Sequence, residues 1–141
     1  MISKATGSFT VTLELQPASA QADAAVIGRR TLDKQFQGDL DASSSGEMLA
    51  VMTSVEGSMA YVALEKVNGI LAARQGSFIL QHASQMIRGK PFQSIRVVPD
   101  SGTDELVGLE GEMQIEIRDG QHLYSFEYNF VEQSIANNNE N

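Results

Sequence analysis

Around Asp119-Gly120 the chain reads EMQIEIR on one side and QHLYSFEY on the other. An Asp-Gly pair between two alternating runs is the strongest short-range signal for a two-residue β-hairpin, because both central positions need positive φ. Centring the turn there sets Ile117, Ile115 and Met113 opposite His122, Tyr124 and Phe126, with Gly111 opposite Tyr128. Glu112, Gln114, Glu116 and Arg118 then share the other face. One face is apolar and one polar, and a one-residue slip would scramble both. The segment can only be a half-buried antiparallel sheet.

The same grammar runs through the chain. Strands are expected at about 7–16, 27–37, 46–54, 59–73, 76–87, 92–99, 111–118 and 122–131, and no stretch holds a helical apolar stripe for three turns. Prolines 17, 91 and 99 fall at strand ends, where a missing ladder donor does least harm. A turn at Glu56-Gly57 sets Met52, Ala50 and Met48 opposite Tyr61, Ala63 and Glu65. One at Arg74-Gln75 sets Leu71, Gly69, Val67 and Glu65 opposite Phe78, Leu80, His82 and Ser84. One at Gly89-Lys90 sets Met86, Ser84, His82 and Leu80 opposite Gln93, Ile95, Val97 and Pro99. These registers chain strands three to six into one largely apolar face. Strand one adds Phe9, Val11, Leu13 and Leu15, and strand two adds Leu32 and Phe36. An all-β fold follows: an eight-stranded antiparallel barrel, closed because closure removes exposed edges. Its interior is either filled or holds one small ligand.

Other features bound the functions open to such a barrel. The 141 residues make one domain, 1–133, with a polar tail at 134–141 expected to be flexible. No cysteine is present, which removes disulfides and thiolate chemistry, and two histidines are too few for a histidine-rich metal centre. No metal or other cofactor is expected. A formal charge of −8 argues against tracking nucleic acid. No apolar leader or membrane-length run occurs, so a cytoplasmic protein without membrane attachment is expected.

The glycine-rich stretch SGTDELVGLEG (101–111) lacks the spacing of a phosphate cradle and leads into a strand. Asp104 and Glu105 would also repel phosphate. It is read as a plug at one barrel end, with Thr103 capping a single helical turn through Asp104–Leu106.

Within the inferred interior, Glu65 is the one acidic group on the apolar four-strand face, with His82 diagonal to it. Such a pair could move a proton on a bound ligand, or could only satisfy itself inside the barrel. Lys34 shares the phase of Leu32 and Phe36 and could reach inward as a third partner. Tyr61, Tyr124, Met48, Met52 and Val97 also point inward and are candidate ligand contacts as well as core fillers. His122, near one rim, is given no role. Outside, Leu49, Val51, Val62 and Leu64 form an apolar patch, with Val51 opposite Val62 and Leu49 opposite Leu64. Its expected partner is a second copy of the chain in a homodimer.

The runs VALEKVNGILAARQGSFILQH (62–82) and VVPDSGTDELVGLEGE (97–112) resemble a family of small bacterial proteins of unknown function grouped with the allene oxide cyclase-like barrels, relatives of plant dirigent proteins. The resemblance extends from TGSF (6–9) to YSFEYNF (124–130). It implies an eight-stranded barrel, lipocalin-like in shape, and no activity; no catalytic position is carried over. The leading expectation is binding of a small lipophilic molecule. The alternatives are a cofactor-free isomerase or cyclase using Glu65 and His82, and a filled barrel acting through its surface.

Overall fold

The computed structural model describes residues 1–132; the tail expected at 134–141 lies outside the described residues. Eight antiparallel strands form a closed barrel in chain order: β1 (Ser3–Gln16), β2 (Gly28–Gly38), β3 (Leu40–Met52), β4 (Met59–Leu71), β5 (Arg74–Ile87), β6 (Lys90–Val97), β7 (Leu109–Arg118) and β8 (Gln121–Phe130). The small-residue loop after β1 carries one short helix, α1 (Ala20–Ala24), capped by the Ser19 hydroxyl accepting from the Ala22 N–H.

Three hairpins turn through two residues that both have positive φ: Ala72-Ala73, Arg88-Gly89 and Asp119-Gly120. This backbone matches the twist of the strands it joins. The Asp119-Gly120 register is the one expected, Ile115 facing Tyr124 and Met113 facing Phe126. The other three turns lie elsewhere. Met52 pairs with Met59 rather than Tyr61, because the connection is a longer loop, 53–58, closed by the Thr53 N–H on the Ser58 carbonyl. Leu71 pairs with Arg74 rather than Phe78, because two alanines take the left-handed conformation that side chains disfavour. Met86 pairs with Pro91 rather than Gln93. Each displacement is an even number of residues, so every side chain keeps its expected face while changing its partner. Outside the barrel, Leu49 accordingly faces Val62, while Val51 faces Ala60 and Leu64 faces Glu47.

β3 begins well before the expected position 46. Its first half, LDASSS, pairs with both β2 and β4, and Asp39 alone separates it from β2. The Tyr124 hydroxyl braces this corner, accepting from the Leu40 N–H at 2.9 Å and donating to the Gln37 carbonyl at 2.9 Å. A side chain at Gly7 would collide with the Gln37 carbonyl and the Tyr124 ring, so glycine is what admits the tyrosine. Burial raises the Tyr124 pKa above its ordinary value, keeping the hydroxyl a donor. Tyr124→Phe should therefore leave the buried Leu40 N–H without an acceptor and lower unfolding free energy by about 1–3 kcal/mol in a urea titration. A smaller loss would mean that the corner relaxes around the gap.

The interior is graded along the barrel axis. At the end where β6 and β7 are connected it is solid: Phe36, Phe78, Phe126, Leu71 and Leu80 are fully buried, with Phe78 stacked on Phe126 at 5.8 Å. The 101–111 segment closes this end. Leu106, within a single 3₁₀ turn at Asp104–Leu106, is buried in the same core. The Thr103 hydroxyl does not cap that turn; it accepts from the Ser77 N–H at 3.0 Å and ties the plug to β5. The opposite end is looser. Leu13, Leu15, Met52 and Ile117 sit there on inward-facing positions yet remain exposed.

Candidate functional site

Between the solid end and the open mouth lies a belt of buried polar side chains. Glu65 on β4 is fully buried, and both carboxylate oxygens are engaged. Oε2 accepts from Lys34 Nζ at 2.8 Å and lies 2.5 Å from His82 Nε2. Oε1 accepts from Ser44 Oγ at 2.6 Å. Lys34 comes from β2, Ser44 from β3 and His82 from β5, so four consecutive strands converge on one carboxylate. The lysine ammonium also lies 4.8 Å from the centre of the Phe9 ring, which favours a cation over the ring face.

Gly46 is directly opposite Glu65 on β3. A Cβ there would fall 2.0 Å from the Leu64 carbonyl oxygen and 2.9 Å from Glu65 Cβ, so this glycine keeps the wall flush against the carboxylate-bearing strand. On the other side Glu65 faces Leu80, and His82 is the diagonal neighbour one step nearer the mouth.

Burial alone would push the Glu65 carboxyl upward. The His82 hydrogen bond and the Lys34 charge act against it and prevail, bringing the group down to about 2. Glu65 is therefore an anion at neutral pH and an acceptor towards both partners. With Nε2 donating to Glu65, a neutral His82 carries its free lone pair on Nδ1. That nitrogen is buried and has no hydrogen-bond partner, and neither has Ser84 Oγ, two residues further towards the mouth.

Ser84 lies in the wall of a cavity of about 600 Å³ at the open end. Tyr61, Met59, Met86, Ile115 and His122 share that wall. Tyr61 and His82 approach with ring centres 6.4 Å apart. Of the other interior candidates, Lys34 is engaged by Glu65, Tyr124 by the β2–β3 corner, and Val97 by the solid core. Met48 is half-buried, and Met52 stands 75% exposed at the rim. Ser44 escaped sequence reasoning because a run of three serines reads as loop. His122 escaped because position alone gave it no partner; its ring packs 5.1 Å from Phe9 and against the cavity. Among the described residues no group of three His, Asp or Glu side chains is arranged to hold a metal ion, and no helix is long and apolar enough to cross a membrane.

Residues 5–128 match the sequence model of a family described as a protein of unknown function (DUF3224). The chain is similar to a protein of unknown function from the DUF3224 family of Shewanella oneidensis MR-1, whose crystal structure superposes with a TM-score of 0.89. The two are 47% identical, over 94% of this chain and 99% of that one. No curated protein matches the chain.

Proposed function

We propose that this chain, which belongs to the DUF3224 family of proteins of unknown function, is a container for one small lipophilic molecule. The observation that carries this reading is a pair of buried polar atoms without partners: Ser84 Oγ, whose residue lines an apolar-walled opening, and His82 Nδ1, two residues deeper on the same strand. Buried polar groups are almost always hydrogen-bonded, and an exception asks for a reason. A ligand whose polar end bonds to these two atoms, with its apolar body against Tyr61, Met59 and Met86, supplies one. Native mass spectrometry of the protein purified from its own source tests this directly. A reproducible extra mass released on denaturation is expected, and a bare chain mass in every preparation would count against the container.

The Glu65–His82 arrangement favours one second reading. A carboxylate that holds an imidazole by one nitrogen leaves the other free as a base, the arrangement that proton abstraction and return requires. A cofactor-free isomerase or cyclase would use Nδ1 in this way, and membership among the allene oxide cyclase-like barrels belongs to this reading. Glu65→Gln separates the two. A container should keep most of its affinity for a neutral ligand, whereas an acid–base catalyst should lose turnover by about 10²-fold or more while still binding. Unchanged turnover in the variant would exclude the dyad from the chemistry.

A further inference from the structure

The barrel wall is incomplete at one place, and the cavity runs through it. β6 and β7 meet through a single residue pair, Arg96 with Glu112, whose side chains form an ion pair at 3.0 Å on the outer surface. From there towards the mouth the two strands separate. Where the ladder would continue, Gln93 and Ile115 are held apart, and the Gln93 side chain instead accepts from the Ile115 N–H at 2.7 Å. Pro91, on the same edge, has no N–H to offer. The strand edges are thus left unpaired and guarded against a third strand.

The cavity lining reports the same breach independently. In a sealed barrel every lining residue would share the inward phase of its strand. Here Gln85, Phe92 and Glu116 belong to the outward phase, and they border the same space as Tyr61, Met59 and Met86 inside. Phe92 is a large aromatic side chain left 50% exposed at the outer lip.

We propose that the ligand, on the container reading above, is an elongated molecule polar at both ends that passes through the wall between β6 and β7: one polar end inside on His82 and Ser84, the apolar body against Tyr61, Met59 and Met86, and a second polar head group outside beside Gln85. The outer lip offers the Gln85 side-chain amide, while the Glu116 carboxylate there is already paired with Arg118 at 3.0 Å and Lys90 Nζ lies 5.9 Å from the Phe92 ring, so the charges at the lip are balanced. An uncharged head group meets this lip without needing a counter-charge, and the formal charge of −8 on the whole chain disfavours an anionic one.

Two dyes that share a phenylaminonaphthalene body test the head group: N-phenyl-1-naphthylamine, which is neutral, and its sulfonated counterpart, 1-anilinonaphthalene-8-sulfonate. The neutral dye should bind at least about 10-fold more tightly, and equal or tighter binding of the sulfonate would overturn the assignment of the lip. The absence of native cysteine permits a test of the route. Glu116→Cys at the slot and Met52→Cys at the rim both alter exposed side chains, so the fold should tolerate either. Each variant is coupled to a bulky polyethylene glycol maleimide and titrated with the neutral dye before and after coupling. The slot label should weaken binding at least 10-fold and the rim label should leave it within twofold. The reverse pattern, loss from both labels, or loss from neither would overturn passage through the wall while leaving the container intact. Failure of the uncoupled protein to bind either dye would instead sink the container reading beneath it.

Discussion

Glu65→Leu should destabilise the barrel by about 3–5 kcal/mol, because it leaves the buried Lys34 ammonium without a counter-charge. Lys34 is nearly as enclosed as its partner, with side-chain exposures of 6% and 0%. No other acidic side chain among the described residues is within ion-pair distance of Lys34. The informative comparison removes the whole belt. Lys34→Met, Ser44→Ala, Glu65→Leu and His82→Phe together replace every member by an apolar side chain. That variant should come within about 1 kcal/mol of the wild type, or exceed it, since well-packed apolar replacements of buried ion pairs are often neutral or stabilising. Urea unfolding of the two variants against wild type reads both effects. If the fourfold variant is stable but has lost the ability to bind a neutral dye, the belt is present for the ligand; if it is as unstable as Glu65→Leu, the cluster is holding the fold.

Acid should weaken the same region in a defined window. The Glu65 carboxyl is brought from an ordinary 4.5 to about 2 in the folded chain. Because the folded value is the lower one, the associated stability is fully present above the unfolded value, near pH 4.5. It is lost as pH falls towards 2. The difference between the two values corresponds to roughly 3 kcal/mol. Other carboxylates also titrate in this range, so the quantity to measure is the difference between wild type and the fourfold variant from pH 7 to pH 2. The wild type should lose roughly 3 kcal/mol more. Parallel curves would show that Glu65 is not held as an anion by its neighbours.

Much of this was legible in the residues, and the reason lies in the period of two. Alternation assigned each strand's faces, and the faces survived three misplaced turns because the errors were even-numbered. Glu65 and His82 were recognisable as inward-facing polar residues, and Lys34 by its phase with Leu32 and Phe36. Their pairing partners were not. A two-residue turn made of Ala72 and Ala73 carries no glycine, asparagine or aspartate to announce it. The run Ser43-Ser44-Ser45 has little of the β-branched or aromatic character of strands, so half of β3 reads as loop and Ser44 is hidden with it. The role of the Tyr124 hydroxyl depends on backbone atoms far away in sequence, which no local pattern encodes. Whether the interior is filled or open had no answer in the sequence because both conditions hold, at opposite ends.

The order of the strands has a consequence for how the wall is assembled. Among the described residues every strand pairs with its neighbour in sequence, and the β1–β8 seam, where Ser3 meets Tyr128, is the one strand pairing between distant parts of the chain. Most contacts can therefore form hairpin by hairpin, which lowers the average contact order for an all-β chain. Closing the ring is left as one late step, whose entropic cost grows only with the logarithm of the loop it closes.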